Sequence, residues 1–346
     1  MTSPATHEPG TPAPASPTVT RTSPIPPTPP PPASPPGTAA RRERGLAGRI
    51  AAATERLAAA GVPSPRADAE QLAAFVLGVG RARLVLVEDL PAHAAAEFDA
   101  LVRRRAVREP LQHLTGIAGF RYLDLAVGPG VFIPRPETES VVGWAIDTLR
   151  TEATGRGAGG PVCVDLCSGS GAIALSLATE VPGAQAHAVE RDPEGLGWLR
   201  RNVTSTGLPV RVHEADVTAE PPASLARLMG AVDLVVSNPP YLPDADRATV
   251  EPEVGAYDPA VALWGGPDGL RVVRAVVRLA AGLLRPGGLL VVEHADGHGT
   301  SAPALLRADG RWTDVADHTD LAGRDRFVTG RFAPGRMVRP GEGRDG

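Results

Sequence analysis

The sequence predicts an α/β protein: a seven-stranded, mostly parallel sheet, preceded by a small helical domain and joined to it by a β-hairpin. Two observations carry that expectation. Residues 132–333 alternate short apolar runs with helical stretches, the pattern of strands linked by crossover helices. Residues 41–115 show helical periodicity and no strand-like run.

In the helical domain, Leu46, Ile50, Ala53, Leu57 and Ala60 recur at three- and four-residue spacing, one apolar helix face. Ser64-Pro65 suits the start of a second helix, which Gly78 ends after Leu77. A third spans 91–108 and carries Arg103, Arg104, Arg105 and Arg108, read as a solvated face with a binding patch as the alternative. Over 116–131 the period changes. Phe120, Tyr122, Leu123, Leu125 and Val127, between Gly119 and Gly128-Pro129-Gly130, suggest the hairpin. Strands are expected at 162–166, 186–190, 210–213, 232–237, 288–293, 312–317 and 326–330. Helices are expected at 138–149, 172–179, 193–205, 269–284 and 301–306. Residues 1–40 are proline-rich with almost no large apolar residue, so a disordered tail of polyproline II character is expected. That tail lacks the apolar stretch of a signal peptide, and 334–346 read as a short flexible tail.

Composition narrows the chemistry. No apolar run approaches the ~18 residues of a membrane span. The 2 cysteines, Cys163 and Cys167, are too few for a disulfide scaffold or a four-cysteine zinc site, and no metal is expected. A net charge of −4 and 4% aromatic residues argue against nucleic acid as a partner. All basic residues are arginine, which excludes Schiff-base and P-loop chemistry because both need lysine.

Two motifs follow predicted strands, where open α/β sheets bind ligands. The first is Asp165-Leu166-Cys167-Ser168-Gly169-Ser170-Gly171, a glycine turn between strand and helix. It is neither a dinucleotide fingerprint nor a P-loop. Glu190 ends the next strand, where a carboxylate can accept ribose hydroxyls. A glycine turn, an acid and no phosphate cradle fit S-adenosylmethionine; packing of helix on strand is the plainer reading. The second is Asn238-Pro239-Pro240-Tyr241. Two prolines force the chain out of the sheet. An Asn amide matches the edge of a planar amide or amidine, proline carbonyls can accept from an NH₂ group, and the Tyr241 ring offers a flat face. An ordinary Asn-Pro turn is the alternative.

Together with Phe132-Ile133-Pro134-Arg135-Pro136-Glu137-Thr138-Glu139, these motifs resemble the release-factor glutamine N5-methyltransferase family. The resemblance continues through Ala256-Tyr257-Asp258-Pro259-Ala260, Gly265 to Leu270, Leu284-Arg285-Pro286-Gly287-Gly288 and Glu293-His294, and covers about residues 44–332. It implies a Rossmann-like methyltransferase sheet, S-adenosylmethionine as cofactor and class I peptide chain release factors as protein substrate. The methylated atom would be the Gln side-chain nitrogen of their Gly-Gly-Gln loop. By the same resemblance, Cys167, Ser168, Gly169, Ser170, Gly171, Glu190, Asp216, Val217 and Asn238 would bind cofactor. Asn238, Pro239, Pro240 and Tyr241 would bind the glutamine, with Asn238, Pro239 and Tyr241 aligning it for transfer. Cys167 stands where many members carry Gly, Glu190 replaces the commoner Asp, and Val217 lies where some place an aromatic. A cytoplasmic monomer without a nucleic-acid partner is expected. A ribosomal-protein glutamine methyltransferase and a DNA adenine N6-methyltransferase are the rival readings.

Overall fold

The protein is described by a computed structural model over residues 45–152, 159–221 and 223–335; the expectations for 1–40 and 336–346 lie outside them. Helix α1 (Leu46–Ala59) buries Leu46, Ile50, Ala53 and Leu57, the face its spacing predicts. Helix α2 (Pro65–Leu77) ends at Gly78, which takes the left-handed conformation (φ 62°). With α3 (Ala92–Ala106) and α4 (Leu111–Thr115) they enclose a core of their own around Leu57, Leu72 and Phe98. The hairpin pairs β1 (Ile117–Phe120) with β2 (Leu123–Ala126). Beyond it, Trp198 donates its indole N–H to the Pro129 carbonyl (3.1 Å). A Cβ at Gly128 would fall 2.6 Å from that ring, so the turn needs glycine to dock.

Helix α5 (Pro136–Glu152) starts at Pro136, earlier than the apolar period suggests, because proline is well suited to a first helical turn. The main sheet runs β5-β4-β3-β6-β7-β9-β8. Its strands are β3 (Val162–Leu166), β4 (Gln185–Glu190), β5 (Val210–Glu214), β6 (Val232–Ser237), β7 (Leu284–Glu293), β8 (Trp312–Thr319) and β9 (Asp325–Phe332). Pairing is parallel from β5 to β7, and β9 lies antiparallel to both β7 and β8. β7 begins ahead of its predicted start at 288, because Leu284 pairs with Val232 before a register shift.

Helices α5, α6 (Ala172–Glu180) and α7 (Pro193–Thr206) cover one face of the sheet. Helices α10 (Arg271–Leu283) and α11 (Ser301–Asp309) cover the other. In α10, Val272, Val273, Val276, Val277, Ala280 and Leu283 point inward, while Arg271, Arg274 and Arg278 face water. The sequence reading left 242–268 without elements. There the chain makes a 3₁₀ turn (Asp244–Ala248) and the short helices α8 (Pro252–Tyr257) and α9 (Ala260–Leu263). This excursion closes at its base, where Leu242 N–H donates to Leu263 O (2.9 Å) and Gly265 N–H to Leu242 O (2.8 Å).

Candidate active site at the carboxyl edge of the sheet

From β3 the chain moves outward to β4 and β5, then returns to the other side of β3 as β6. The loops after β3 and β6 therefore diverge from adjacent strand ends, which opens a crevice between them. Leu166 and Ser237 are paired in register, and the Ser237 hydroxyl donates to Leu166 O (2.6 Å). The glycine turn and the Asn-Pro-Pro-Tyr turn thus leave the sheet side by side.

Between them lies an open cleft lined by both turns. Cys167, Ser168, Gly169 and Ser170 line one wall. Ser168 latches this loop to β4: its N–H donates to Val189 O (3.0 Å) and its hydroxyl accepts from Val189 N–H (3.0 Å). That latch brings Gly169 beside Glu190. Gly169 is left-handed (φ 51°) and a Cβ there would meet nothing within 4 Å, so bare main chain faces the cleft. Cys167 is also left-handed (φ 64°), which explains why glycine suits this position. Burial, with the Glu190 and Asp165 carboxylates nearby, pushes its thiol up. Gly171 does not line the cleft. It precedes α6 at φ 88°, and a Cβ there would fall 2.6 Å from Leu199, so glycine lets α7 pack closely here.

Glu190 lines the cleft with its carboxylate held by main-chain donors: Gly169 N–H (2.8 Å) to Oε2, Arg191 N–H (2.7 Å) and Asp192 N–H (2.8 Å) to Oε1. A carboxylate has about four acceptor positions, so these bonds leave one open toward a ligand hydroxyl. Asp216 and the buried Val217 complete this end. Burial works against the Asp216 charge, yet Thr218 and Arg191 hold its carboxyl below the usual range.

Behind the glycine turn sits Asp165, fully buried and pushed up to about 8 by burial. Its Oδ2 accepts from Ala174 N–H (3.2 Å) in the first turn of α6, while Oδ1 has no partner. Asn202, buried in α7, joins the wall to the hairpin by donating to Ser170 O (2.9 Å) and Ala126 O (3.0 Å) and accepting from Ala126 N–H (2.8 Å).

Across the cleft, Asn238 and Pro240 face in, together with Phe132, Pro134 and Thr138. Asn238 Nδ2 donates to Thr138 Oγ1 (3.0 Å). Pro239 and Tyr241 do not line the cleft, against the sequence expectation. Pro239 is buried, and Tyr241 turns its hydroxyl inward to donate to Glu293 Oε1 (3.1 Å). Burial and the Glu293 carboxyl push the Tyr241 phenol up. The sequence reading used only the ring face, whereas the hydroxyl is the atom with a partner. Glu293 is pushed up to about 7 by burial, which outweighs the Thr138 hydroxyl, Arg326 and Tyr241. The neighbouring His294 is fully buried and bonded to Asp317 Oδ1 (2.8 Å) and Ala295 O (2.8 Å), a structural role.

The excursion after Tyr241 is clamped at two points. Asp258 pairs with Arg135 and accepts from Ile133 N–H (3.4 Å), which ties the Ile133–Glu139 segment over the cleft. Glu253 reaches the helical domain, accepting from Arg105 (3.0 Å) and Arg108 (2.6 Å). Arg105 is itself buried and also pairs with Asp68 (2.8 Å). Arg104 pairs with Glu109. The arginine run is therefore neither a purely solvated face nor a free basic patch, because much of it clasps an acid far along the chain. Charge spacing gives no signal for a partner 148 residues away. Asn202 had a weak signal, a polar residue on the inward face of an amphipathic helix. Thr138 had none beyond its place in the Pro134–Glu139 run.

Among the described residues, no group of three or more His, Cys, Asp or Glu could hold a metal, and no helix is long and apolar enough to cross a membrane. Residues 50–116 match the family described as PrmC N-terminal domain, and residues 147–252 match the methyltransferase small domain. The release factor glutamine methyltransferase of Streptomyces coelicolor is 52% identical over 292 residues, covering 83% of this chain and 98% of that protein. The Mycolicibacterium smegmatis protein of the same name is 53% identical over 281 residues, covering 81% and 95%. That of Deinococcus radiodurans is 41% identical over 285 residues, covering 82% and 97%.

Proposed function

We infer the reaction from one premise: this chain belongs to the release factor glutamine methyltransferase family. It is an S-adenosylmethionine-dependent methyltransferase whose acceptor is a glutamine side chain of a release factor. The finer reading is that this glutamine lies in the Gly-Gly-Gln loop of class I factors, and that the enzyme works as a cytoplasmic monomer without a nucleic-acid partner.

The residues present fit the cofactor. Bare main chain at Gly169 leaves room for close approach, Glu190 keeps an acceptor position for a ribose hydroxyl, and Asp216 beside Val217 suits the amino edge and face of adenine. When bound, S-adenosylmethionine supplies an electrophilic methyl group on a sulfonium, which needs no acid. The chain's own task is to aim a weak nucleophile. An amide nitrogen has its lone pair delocalised into the carbonyl. Accepting its N–H bonds, with Asn238 Oδ1 as one acceptor, orients that nitrogen across the cleft and stabilises positive charge as it grows there. The proton leaves to water after transfer, so no dedicated base is required.

One observation carries this reading: the glycine turn and Asn238 flank a single cleft at the point where the strand order reverses. Mass spectrometry of a purified release factor after incubation with the protein and S-adenosylmethionine tests it. A 14 Da gain on the Gly-Gly-Gln peptide is expected, and no gain, or a gain elsewhere, overturns the assignment.

A further inference from the structure

An amide presents an oxygen at one end and an NH₂ at the other, and only the oxygen can accept from a target N–H. What decides which end of Asn238 faces the cleft is therefore part of the mechanism. The neighbour of Asn238 is Thr138, 3% exposed, whose hydroxyl has a single hydrogen. Thr138 is in turn close enough to Glu293, 1% exposed at the end of β7, for its hydroxyl to favour the ionised carboxyl. Glu293 Oε1 accepts from the Tyr241 hydroxyl, and Oε2 is buried without a hydrogen-bond partner. A buried carboxylate oxygen left unpaired is costly, and the nearby Thr138 hydroxyl can relieve that cost by turning its hydrogen toward it.

We propose that Thr138 and Glu293 are positioning residues that set the polarity of the Asn238 amide. Glu293 accepts the Thr138 hydrogen. Thr138 is then left with lone pairs only, so Asn238 must turn its NH₂ toward it and its oxygen toward the substrate. Protonated Glu293 removes that compulsion. It can donate to Thr138, whose hydrogen is then free to meet Asn238 Oδ1, and the amide can reverse. Neither role needs Glu293 in the cleft; it acts through Thr138 on one side and Tyr241 on the other.

The charged groups around Glu293 come from three other elements: Arg326 on β9 favours its ionised form, Glu137 on α5 disfavours it, and the Tyr241 phenol follows β6. His294, the next residue, is engaged with Asp317 on β8. The site is thus most ordered for transfer when Glu293 is ionised, which places the change near neutral pH.

This inference rests on the glutamine-methylation reading only for the identity of the target amide. Two measurements test it. In single-turnover methylation of a release factor, Thr138→Val should lower the rate by about tenfold, the cost of one lost oriented bond, with S-adenosylmethionine affinity within threefold of the parent. Thr138→Ser should restore the rate to within about threefold. The parent rate should rise with pH through the Glu293 titration, and Glu293→Gln should flatten that profile. Independently of activity, the Asn238 side-chain amide signals, identified by NMR from their loss in Asn238→Ala, should shift with pH in the parent and stay fixed in Glu293→Gln. If the parent fails to methylate a release factor, the substrate assignment falls while the amide signals still decide the positioning. Amide signals indifferent to pH, or identical pH responses in parent and Glu293→Gln, overturn the proposal.

Discussion

Where the helical domain buries charge it pairs it: Arg105 lies between Asp68 and Glu253, and Arg108 shares Glu253. At the carboxyl edge of the sheet, Asp165 and Glu293 are buried with no ion pair, each with one oxygen unpaired. Pairing with arginine holds the Glu253 carboxyl below the usual range although burial opposes it, whereas burial, seconded by the Glu190 and Glu137 carboxylates, raises Asp165 and Glu293. The first arrangement joins two parts of the chain and gains from rigidity. The second leaves a carboxyl with a raised pKa behind each of the two turns that flank the cleft, Asp165 under the glycine turn and Glu293 against Tyr241. The two regions thus hold the same residue types under opposite electrostatic conditions.

Four perturbations break or sharpen that contrast. The largest effect is expected at Asn238. Asn238→Ala removes an oriented acceptor in a closed site and should slow single-turnover methylation on the order of 10²-fold, with little change in cofactor affinity. A rate within a few-fold of the parent removes Asn238 from the mechanism. Glu190→Ala should weaken S-adenosylmethionine binding by about 1–3 kcal/mol in calorimetry, the loss of charge-assisted bonds. Unchanged binding would mean that the three main-chain donors, and not a ligand, are what Glu190 serves.

Glu253→Ala unclasps the two regions. It should raise KM for a release factor roughly tenfold, about 1.4 kcal/mol, while kcat and cofactor binding stay within a few-fold. A fall in kcat alone would show that the clasp shapes the cleft and not the docking.

The smallest effect is on stability against pH. Asp165 and Glu293 both have folded pKa values above their ordinary ones, about 8 and about 7. The folded state therefore holds protons that the unfolded chain has lost. Their contribution is fully present below the ordinary carboxylate range and is lost as pH rises through 7 to 8. Glu293→Gln should gain thermal stability relative to the parent between pH 5 and pH 9. A constant difference across that range would mean that Glu293 is not protonated in the folded protein.

Much of the architecture was legible because it rests on local pattern. The period of Leu46 to Leu57, the buried strand runs and the Gly78 stop each follow from neighbours in sequence. Both turns of the cleft were found because glycine and proline mark departures from regular structure. The misreadings share a cause. Gly171 is expected at the ligand, and what its lack of a Cβ visibly makes room for is Leu199. Tyr241 was given a role for its ring, but the group that governs it, Glu293, lies 52 residues further on. The Arg105–Glu253 clasp and the Asp258–Arg135 pair are likewise long-range, and no periodicity encodes them. Short helices such as α8 and α9 escaped notice because a single turn offers too little periodicity to read.

The order of strands in the sheet also bears on what holds the sheet together. β9 follows β8 in the chain, yet it lies between β7 and β8 and brings Arg326 to Glu293. Without residues 325–332, β7 and β8 would each lack the neighbour that pairs them into one sheet, and Glu293 would lose the Arg326 charge that favours its ionised form. The strand made after β8 is thus the one that joins β8 to the rest of the sheet.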